Sequence, residues 1–330
     1  MPETGPMAKT RTRRWPGQTR RDQAGLTLVE LMVALVIGLL VVAAVMAIYL
    51  SSSRNFAQDE RFARMQENAR YALKVLSEDL SLVSFWGGML SVDTVTTDLA
   101  PGACGAPVQL FRADTPLYFN NNHSGTPSST FAPCTAVTDL QRAGTDVLAV
   151  KRVATTPGAT TGVRLRTNGT QGSIKGSLIN STAALATGEQ DWAYLPRLYF
   201  IGDGSCAGAA GPPGLCRMDL DHTSLDFGAP AMLAEGIEEF HVQFGIDSTG
   251  DGVADRYTSQ PTLAEMPDAV WARVFVLARS SQPDPQYTNT KSFTLGDVNV
   301  PASGDNFYRQ VYSTTVILRN SVNLATLNRG

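Results

Sequence analysis

Catalytic signatures are missing from this 330-residue chain. It has no G-x-S-x-G, no H-E-x-x-H and no P-loop. Its three histidines, His123, His222 and His241, are scattered, and no C-x-x-C occurs, which removes the common zinc-ligand spacings. His241 falls inside an alternating strand-like run and reads as a sheet residue rather than a base. No Lys/Arg cluster with interleaved aromatics is present, and Arg164 with Arg166 make two charges rather than a patch, so no nucleic-acid partner is expected. The expectation is a chain that is not an enzyme and needs no cofactor. Two absences are local. Leu31 to Ser53 contains no charge, and Val41 to Phe85 contains neither Pro nor Gly.

The bulk figures, 43% hydrophobic and 17% charged, exclude a disordered chain, a collagen and a multi-span membrane protein. They hide a strong asymmetry. Residues 1–25 carry six Lys/Arg against Glu3 and Asp22, while residues 26–330 carry 21 basic and 28 acidic side chains, a net of −7. Between these regions Leu26 to Leu50 reads LTLVELMVALVIGLLVVAAVMAIYL. Twenty-five helical residues span roughly 37 Å, enough for a hydrocarbon core of ~30 Å. Basic residues before the run place the leader on the cytoplasmic side and the rest of the chain across the membrane. A secretory signal peptide needs a shorter apolar core and a small-residue cleavage site. Here the run is too long, and Tyr49-Leu50-Ser51 is a poor site. A plain anchor accounts for the length but not for two details: Glu30 lies inside the apolar run, and Gly25 immediately precedes it. A carboxylate near the end of a membrane helix is costly and calls for a partner. A free α-amine created by cleavage after Gly25 would supply one.

Gly25-Leu26-Thr27-Leu28-Val29-Glu30 resembles the prepilin leader motif of type IV pilins and type II secretion pseudopilins. The resemblance implies cleavage after Gly25 by a membrane peptidase, N-methylation of Leu26, and retention of the apolar helix in the mature protein. Glu30 then contacts the N-terminal amine of a neighbouring subunit. Leu at the new N-terminus departs from the commoner Phe.

Helical periodicity continues beyond the uncharged run. Phe62, Met65, Ala69, Ala72, Leu76, Leu80 and Val83 form one apolar stripe, with Arg61, Arg64, Glu67, Arg70, Lys74 and Glu78 on the other face. The pattern predicts one helix of about 57 residues, roughly 85 Å long, ending at Trp86-Gly87-Gly88. The stripe is expected to pack on a globular head. Residues 60–90 resemble the PilW branch of minor pilins through Asn68, Ala69, Arg70, Ala72, Leu73, Asp79, Leu80, Phe85 and Gly87. The Cys that often stands beside this corner is replaced by Gly88-Met89, so disulfides do not transfer from relatives.

The remainder is rich in Thr, Gly, Pro, Asn and Asp. It holds strand-like runs at 146–153, 197–201, 239–246, 269–279 and 310–319, several alternating apolar and polar residues. The 272–279 run reads as buried on both faces. Residues 93–140 and 155–190 read as turn-rich insertions. The expected fold is α+β and pilin-like: one long N-terminal helix, membrane-spanning then amphipathic, packed on a mainly antiparallel head with long loops. The expected segments are a leader at 1–25, an assembly helix at 26–53, its amphipathic continuation at 54–83 and an exported head at 84–330.

Cys104, Cys134, Cys206 and Cys216 all lie in the head, and an even count in an exported chain favours disulfides. Three pairings are open. Sequence-adjacent pairing is expected, because a 206–216 bond would tie off an Ala/Gly/Pro-rich loop. Residues 247–255 offer a candidate weak calcium loop, with Asp247, Thr249, Asp251 and Asp255 at positions 1, 3, 5 and 9 and the Val253 carbonyl at 7. Thr258 stands where a bidentate Glu belongs. The competing reading is a hairpin turn joining strand 239–246 to residues 253–257, and PilW-like proteins carry a similar Asp/Gly segment here.

The resemblance implies a minor pilin that takes part in type IV pilus assembly. Its partners would be other minor and major pilins, the prepilin peptidase, the inner-membrane assembly platform and membrane lipid. A type II secretion pseudopilin and a pilus-tip adhesin are the alternatives.

Overall fold

The computed structural model describes residues 25–89, 91–97, 110–122, 142–158, 161–176, 184–204, 206, 211–223, 225–262 and 264–320. It divides into two compact units, Met1–Ala57 and Gln58–Gly330. One helix, α1 (Leu28–Ser81), runs through both. In the first unit every residue from Gly25 to Phe56 is exposed. Length and composition suffice for this stretch to cross a membrane.

In the second unit the helix has two faces. Met65, Ala69, Ala72, Leu76, Leu80 and Val83 are buried in one apolar cluster, with Phe62 packed against it. The spacing of 3 and 4 places them on one stripe facing the sheets. Arg64, Lys74 and Glu78 lie on the solvent side, with Arg64–Glu60 and Lys74–Glu78 paired at i,i+4. The helix ends at Ser81, before Trp86-Gly87-Gly88. The chain then reverses through Ser84 at φ 63° and Gly87 at φ 63°. A Cβ on Gly87 would lie 2.7 Å from the Trp192 indole, so the glycine is required by close approach as well as by backbone conformation.

The head is built of three sheets and a hairpin. One sheet contains β1 (Val95–Thr97), β4 (Arg164–Thr167), β5 (Gly172–Lys175) and β6 (Gln190–Ala193) in the order β1-β5-β4-β6, with β1 parallel to β5. A second contains β2 (Leu117–Asn120), β3 (Val147–Val150), β7 (Arg197–Asp203), β8 (Pro213–Asp221) and β10 (Ala231–Glu235) in the order β10-β8-β7-β3-β2, with β9 (Asp226–Phe227) also paired to β8. The third contains β11 (Ile237–Ile246), β12 (Arg256–Thr258), β13 (Ala269–Arg279) and β16 (Arg309–Ile317) in the order β12-β11-β13-β16. The hairpin is β14 (Phe293–Leu295) with β15 (Val298–Val300).

The last sheet and the second sheet share the main core with α1. Ala272, Val274, Val276 and Ala278 of β13, Phe240, Val242 and Phe244 of β11, and Tyr199 and Ile201 of β7 all join the helix stripe. On the other face of β13, Phe275 and Leu277 are covered by Leu295, Phe293 and Val300 of the hairpin. Burial on both faces therefore holds for this central pair only, since Arg273 is exposed and Trp271 half-buried. The described residues between 155 and 190 are not simply a turn-rich insertion. They supply β4, β5 and the start of β6, the larger part of a four-stranded sheet with its own core of Leu165, Ile174, Trp192 and Tyr194.

Candidate assembly site and the charged corner of the head

Gly25 and Leu26 lie just outside the helix, in irregular chain. Leu26 is 73% exposed, and nothing lies within 4 Å of a Cβ placed on Gly25. Thr27 caps the helix: its Oγ1 accepts the Glu30 N–H at 3.2 Å, and its carbonyl accepts the Leu31 N–H at 3.1 Å. Thr27-Leu28-Val29-Glu30 thereby forms the T-x-x-E of a capping box, with Glu30 in the first turn, where the helix dipole favours a carboxylate. Glu30 accordingly has a local role in starting the helix, and its side chain remains exposed to a second molecule.

At the other end of α1 the PilW-like motif residues do structural work. Asn68 donates to the Glu235 carbonyl at 2.9 Å, tying the helix to the β10–β11 turn. Asp79, 1% exposed, is the hub of a buried ion cluster. Its Oδ1 accepts from Arg152 Nε (3.1 Å) and Nη2 (2.9 Å) and from Arg197 Nη1 (2.7 Å), and Tyr199 donates its hydroxyl to Oδ2. Arg197 also faces Asp219 at 3.2 Å. Burial alone would raise the Asp79 pKa, but Tyr199, Arg197 and Arg152 together hold it below the usual carboxylate range. The cluster locks the last helical turn to β7 and to Arg152, the second residue after β3. Sequence reasoning gave Asp79 only as a motif match. The available signal was an acid beside Leu80 on the helix's apolar side.

Other buried charges are similarly occupied. Arg164 and Arg166 both bind Asp191 across β4 and β6. Glu238 receives Arg279 and Arg309. His241 stands in β11 between Asp146 (3.3 Å) and Glu239 (3.5 Å). Burial would lower its pKa, but these carboxylates raise it to about 9. Lys151, whose burial pushes its amine down to about 7, donates to the Arg112 carbonyl at 3.1 Å and to Thr115 Oγ1 at 3.2 Å. His222 Nδ1 accepts the Val163 N–H at 3.0 Å. Among the described residues no group of three or more His, Cys, Asp or Glu is placed to hold a metal.

Cys206 and Cys216 form a disulfide joining the end of the β7 turn to β8. The expected Cys104–Cys134 bond and His123 lie outside the described residues. The 247–255 segment is the turn of a hairpin: β12 pairs antiparallel with β11 from Arg256, later than the expected 253. Its carboxylates serve the loop itself. Asp247 accepts the N–H groups of Gly250 (2.5 Å) and Gly252 (2.7 Å), Asp255 those of Ser248 (2.8 Å) and Thr249 (3.0 Å), and Asp251 that of Val253 (2.8 Å). These backbone donors account for the three carboxylates as parts of the turn itself, with no cation needed to hold its shape. Millimolar calcium is therefore expected to leave the melting temperature of the protein unchanged; a rise that chelator reverses would restore the calcium reading.

Residues 198–320 match the family model described as Type IV Pilus-assembly protein W, and residues 20–46 match the Prokaryotic N-terminal methylation motif. No curated protein matches. Among solved structures, a type IV-like pilin from Thermus thermophilus aligns with 12% identity and a TM-score of 0.35 over 78% of this chain and 97% of that one, a likeness too slight to bear on function. A prokaryotic methylation motif thus opens the membrane-length helix, and a region similar to Type IV Pilus-assembly protein W runs from β7 through β16.

Proposed function

We propose that this chain is a PilW-type minor pilin that primes pilus assembly as part of a tip complex, after prepilin peptidase cleaves the Gly25–Leu26 bond and methylates the Leu26 amine. The observation that carries the reading is the junction itself. An exposed, non-helical Gly25–Leu26 bond precedes a capped helix in which, after Glu30, Leu31 to Leu50 carry no charge and are all exposed. The uncleaved chain crosses the inner membrane once, its basic leader in the cytoplasm and its head in the periplasm. On assembly the apolar helix leaves lipid for the pilus core. Glu30 opposite a neighbour's N-terminal amine then fixes the axial stagger, because an unpaired carboxylate in an apolar bundle is penalised. Other minor and major pilins, the peptidase and the inner-membrane assembly platform are the partners.

A strain lacking the chain is expected to display few or no pili, counted by electron microscopy, and to recover them on complementation. Normal piliation with lost adhesion would replace this reading with a tip adhesin. Normal piliation with a secretion defect would replace it with a pseudopilin. Removing only residues 93–140 is a poorer test, since it deletes β1 and β2.

A further inference from the structure

The sequence contains a single Asn-Gly pair, Asn168-Gly169, and it falls at the tip of the β4–β5 hairpin. Thr167 pairs with Gly172 as the last rung of the ladder, so residues 168–171 form the turn. Asn168 and Thr170 are exposed there. The hairpin precedes residues 198–320, so the family match assigns it no role. Asn before Gly is the pair whose side-chain amide reacts most readily with its own backbone. Joining Asn168 Cγ to the Gly169 nitrogen closes a small ring, and glycine has no Cβ to obstruct it.

The turn arranges the reacting groups. Asn168 Oδ1 accepts the N–H of Thr170 at 3.0 Å and that of Gln171 at 2.8 Å. The side chain is thereby folded along the chain that follows it, across the intervening Gly169 nitrogen. The same two donors stand where negative charge gathers when a nucleophile attacks Cγ, in the manner of an oxyanion hole. The Gly169 N–H lies outside the strand ladder and donates to Thr167 Oγ1 at 2.9 Å. Thr167 is buried, and its hydroxyl donates to the Gln171 carbonyl at 2.8 Å, so the acceptor that holds the Gly169 nitrogen is itself fixed. Gly169 has φ +90°, a conformation that suits glycine alone. Asn168 Nδ2, the nitrogen that must leave, donates to none of the described residues, and water reaches it.

We propose that Asn168 is a self-modifying site, at which the folded head turns a side-chain amide into an acid without an enzyme. The Gly169 nitrogen attacks Asn168 Cγ. The N–Cγ bond forms, the Cγ–Nδ2 bond breaks, and ammonia leaves with the proton given up by the Gly169 nitrogen. Water then opens the cyclic imide. Opening at Cγ gives aspartate, and opening at the backbone carbonyl gives isoaspartate. No electrons change hands, and water is the only co-reactant. The two products act differently on the hairpin. An aspartate carboxylate keeps the Thr170 and Gln171 donors and binds them more strongly than an amide does. An isoaspartate adds a methylene to the main chain inside the turn and so disturbs the pairing of Thr167 with Gly172. Because β5 also carries β1 along its other edge, that product loosens the whole β1-β5-β4-β6 sheet. Either product adds one negative charge to the head. The site does not depend on the proposed role in priming.

The test incubates the full-length chain in detergent at mildly alkaline pH in heavy-oxygen water, then digests it with trypsin in ordinary water. Cleavage after Arg166 and Lys175 releases Thr167 to Lys175 (TNGTQGSIK), and only acid formed before digestion carries the label in its side chain or main chain at residue 168. Labelled aspartate and isoaspartate are expected there and should accumulate with time. The folded chain should convert as fast as the free peptide TNGTQGSIK in the same buffer, or faster. Asn168→Gln, whose longer side chain cannot close the same ring, should stay unlabelled and release less ammonia. The proposal is overturned if the folded chain converts more slowly than the free peptide, since the turn would then protect the amide, or if Asn168→Gln releases as much ammonia as the unmodified chain.

Discussion

Glu30→Ala is expected to leave cleavage after Gly25 intact and to remove the subunit from sheared pili. Removing one partner of a buried ion pair costs about 3–5 kcal/mol, and each 1.4 kcal/mol is a factor of about ten in an equilibrium. Incorporation should therefore fall by about a hundredfold or more. The capping box offers a competing explanation, since Glu30 also occupies the third position after the Thr27 cap. Glu30→Gln separates the two. Gln preserves the cap geometry but carries no charge. It is expected to be excluded from pili as fully as Ala, as read by immunoblot of the pilus fraction against total membrane. Incorporation restored by Gln would assign Glu30 to helix capping and end the pairing argument.

The second large effect lies at the other end of the helix. Asp79→Ala leaves Arg152, Arg197 and the Tyr199 hydroxyl around an empty place, with Arg152 only 10% exposed. Breaking a buried cluster by removing its acid costs about 3–5 kcal/mol. For a head of this size that lowers the melting temperature by roughly 6–20 °C, at about 2–4 °C per kcal/mol. The same carboxylate governs acid stability. Its native pKa lies below the ordinary value, so its contribution is complete above that value and is lost as pH falls through the native one. Asp79→Asn should therefore be less stable than the native protein at pH 7, and the gap should narrow towards pH 2. A variant with unchanged melting at pH 7 would show that the cluster contributes nothing net.

The helix stripe was legible because a 3.6-residue period survives where one side of the helix meets the head and the other meets water. Residues 239–246 and 269–279 were legible as strands because they alternate or are uniformly apolar. The β4–β5 region was not. Arg164-Leu165-Arg166-Thr167 reads as a polar turn, and only the shared carboxylate of Asp191, 25 and more residues away, makes those arginines acceptable inside a sheet. Asp79 was hidden for the same reason. A buried charge is intelligible only with its partners, and Arg152, Arg197 and Tyr199 lie 73 to 120 residues away. The helix end was misplaced by a few residues because Ser84, a non-glycine at positive φ, begins the reversal before Gly87. The candidate calcium loop matched by residue type, but the spacing could not reveal that its carboxylates bind their own backbone.

The account rests on one covalent event, and the N-terminus of the membrane-extracted protein reports it directly. Edman degradation or intact-mass analysis is expected to find a chain beginning at N-methylated Leu26, with residues 1–25 gone, and Gly25→Val is expected to retain them. A mature chain that begins at Met1, or beyond the apolar run near Ser51, would contradict it.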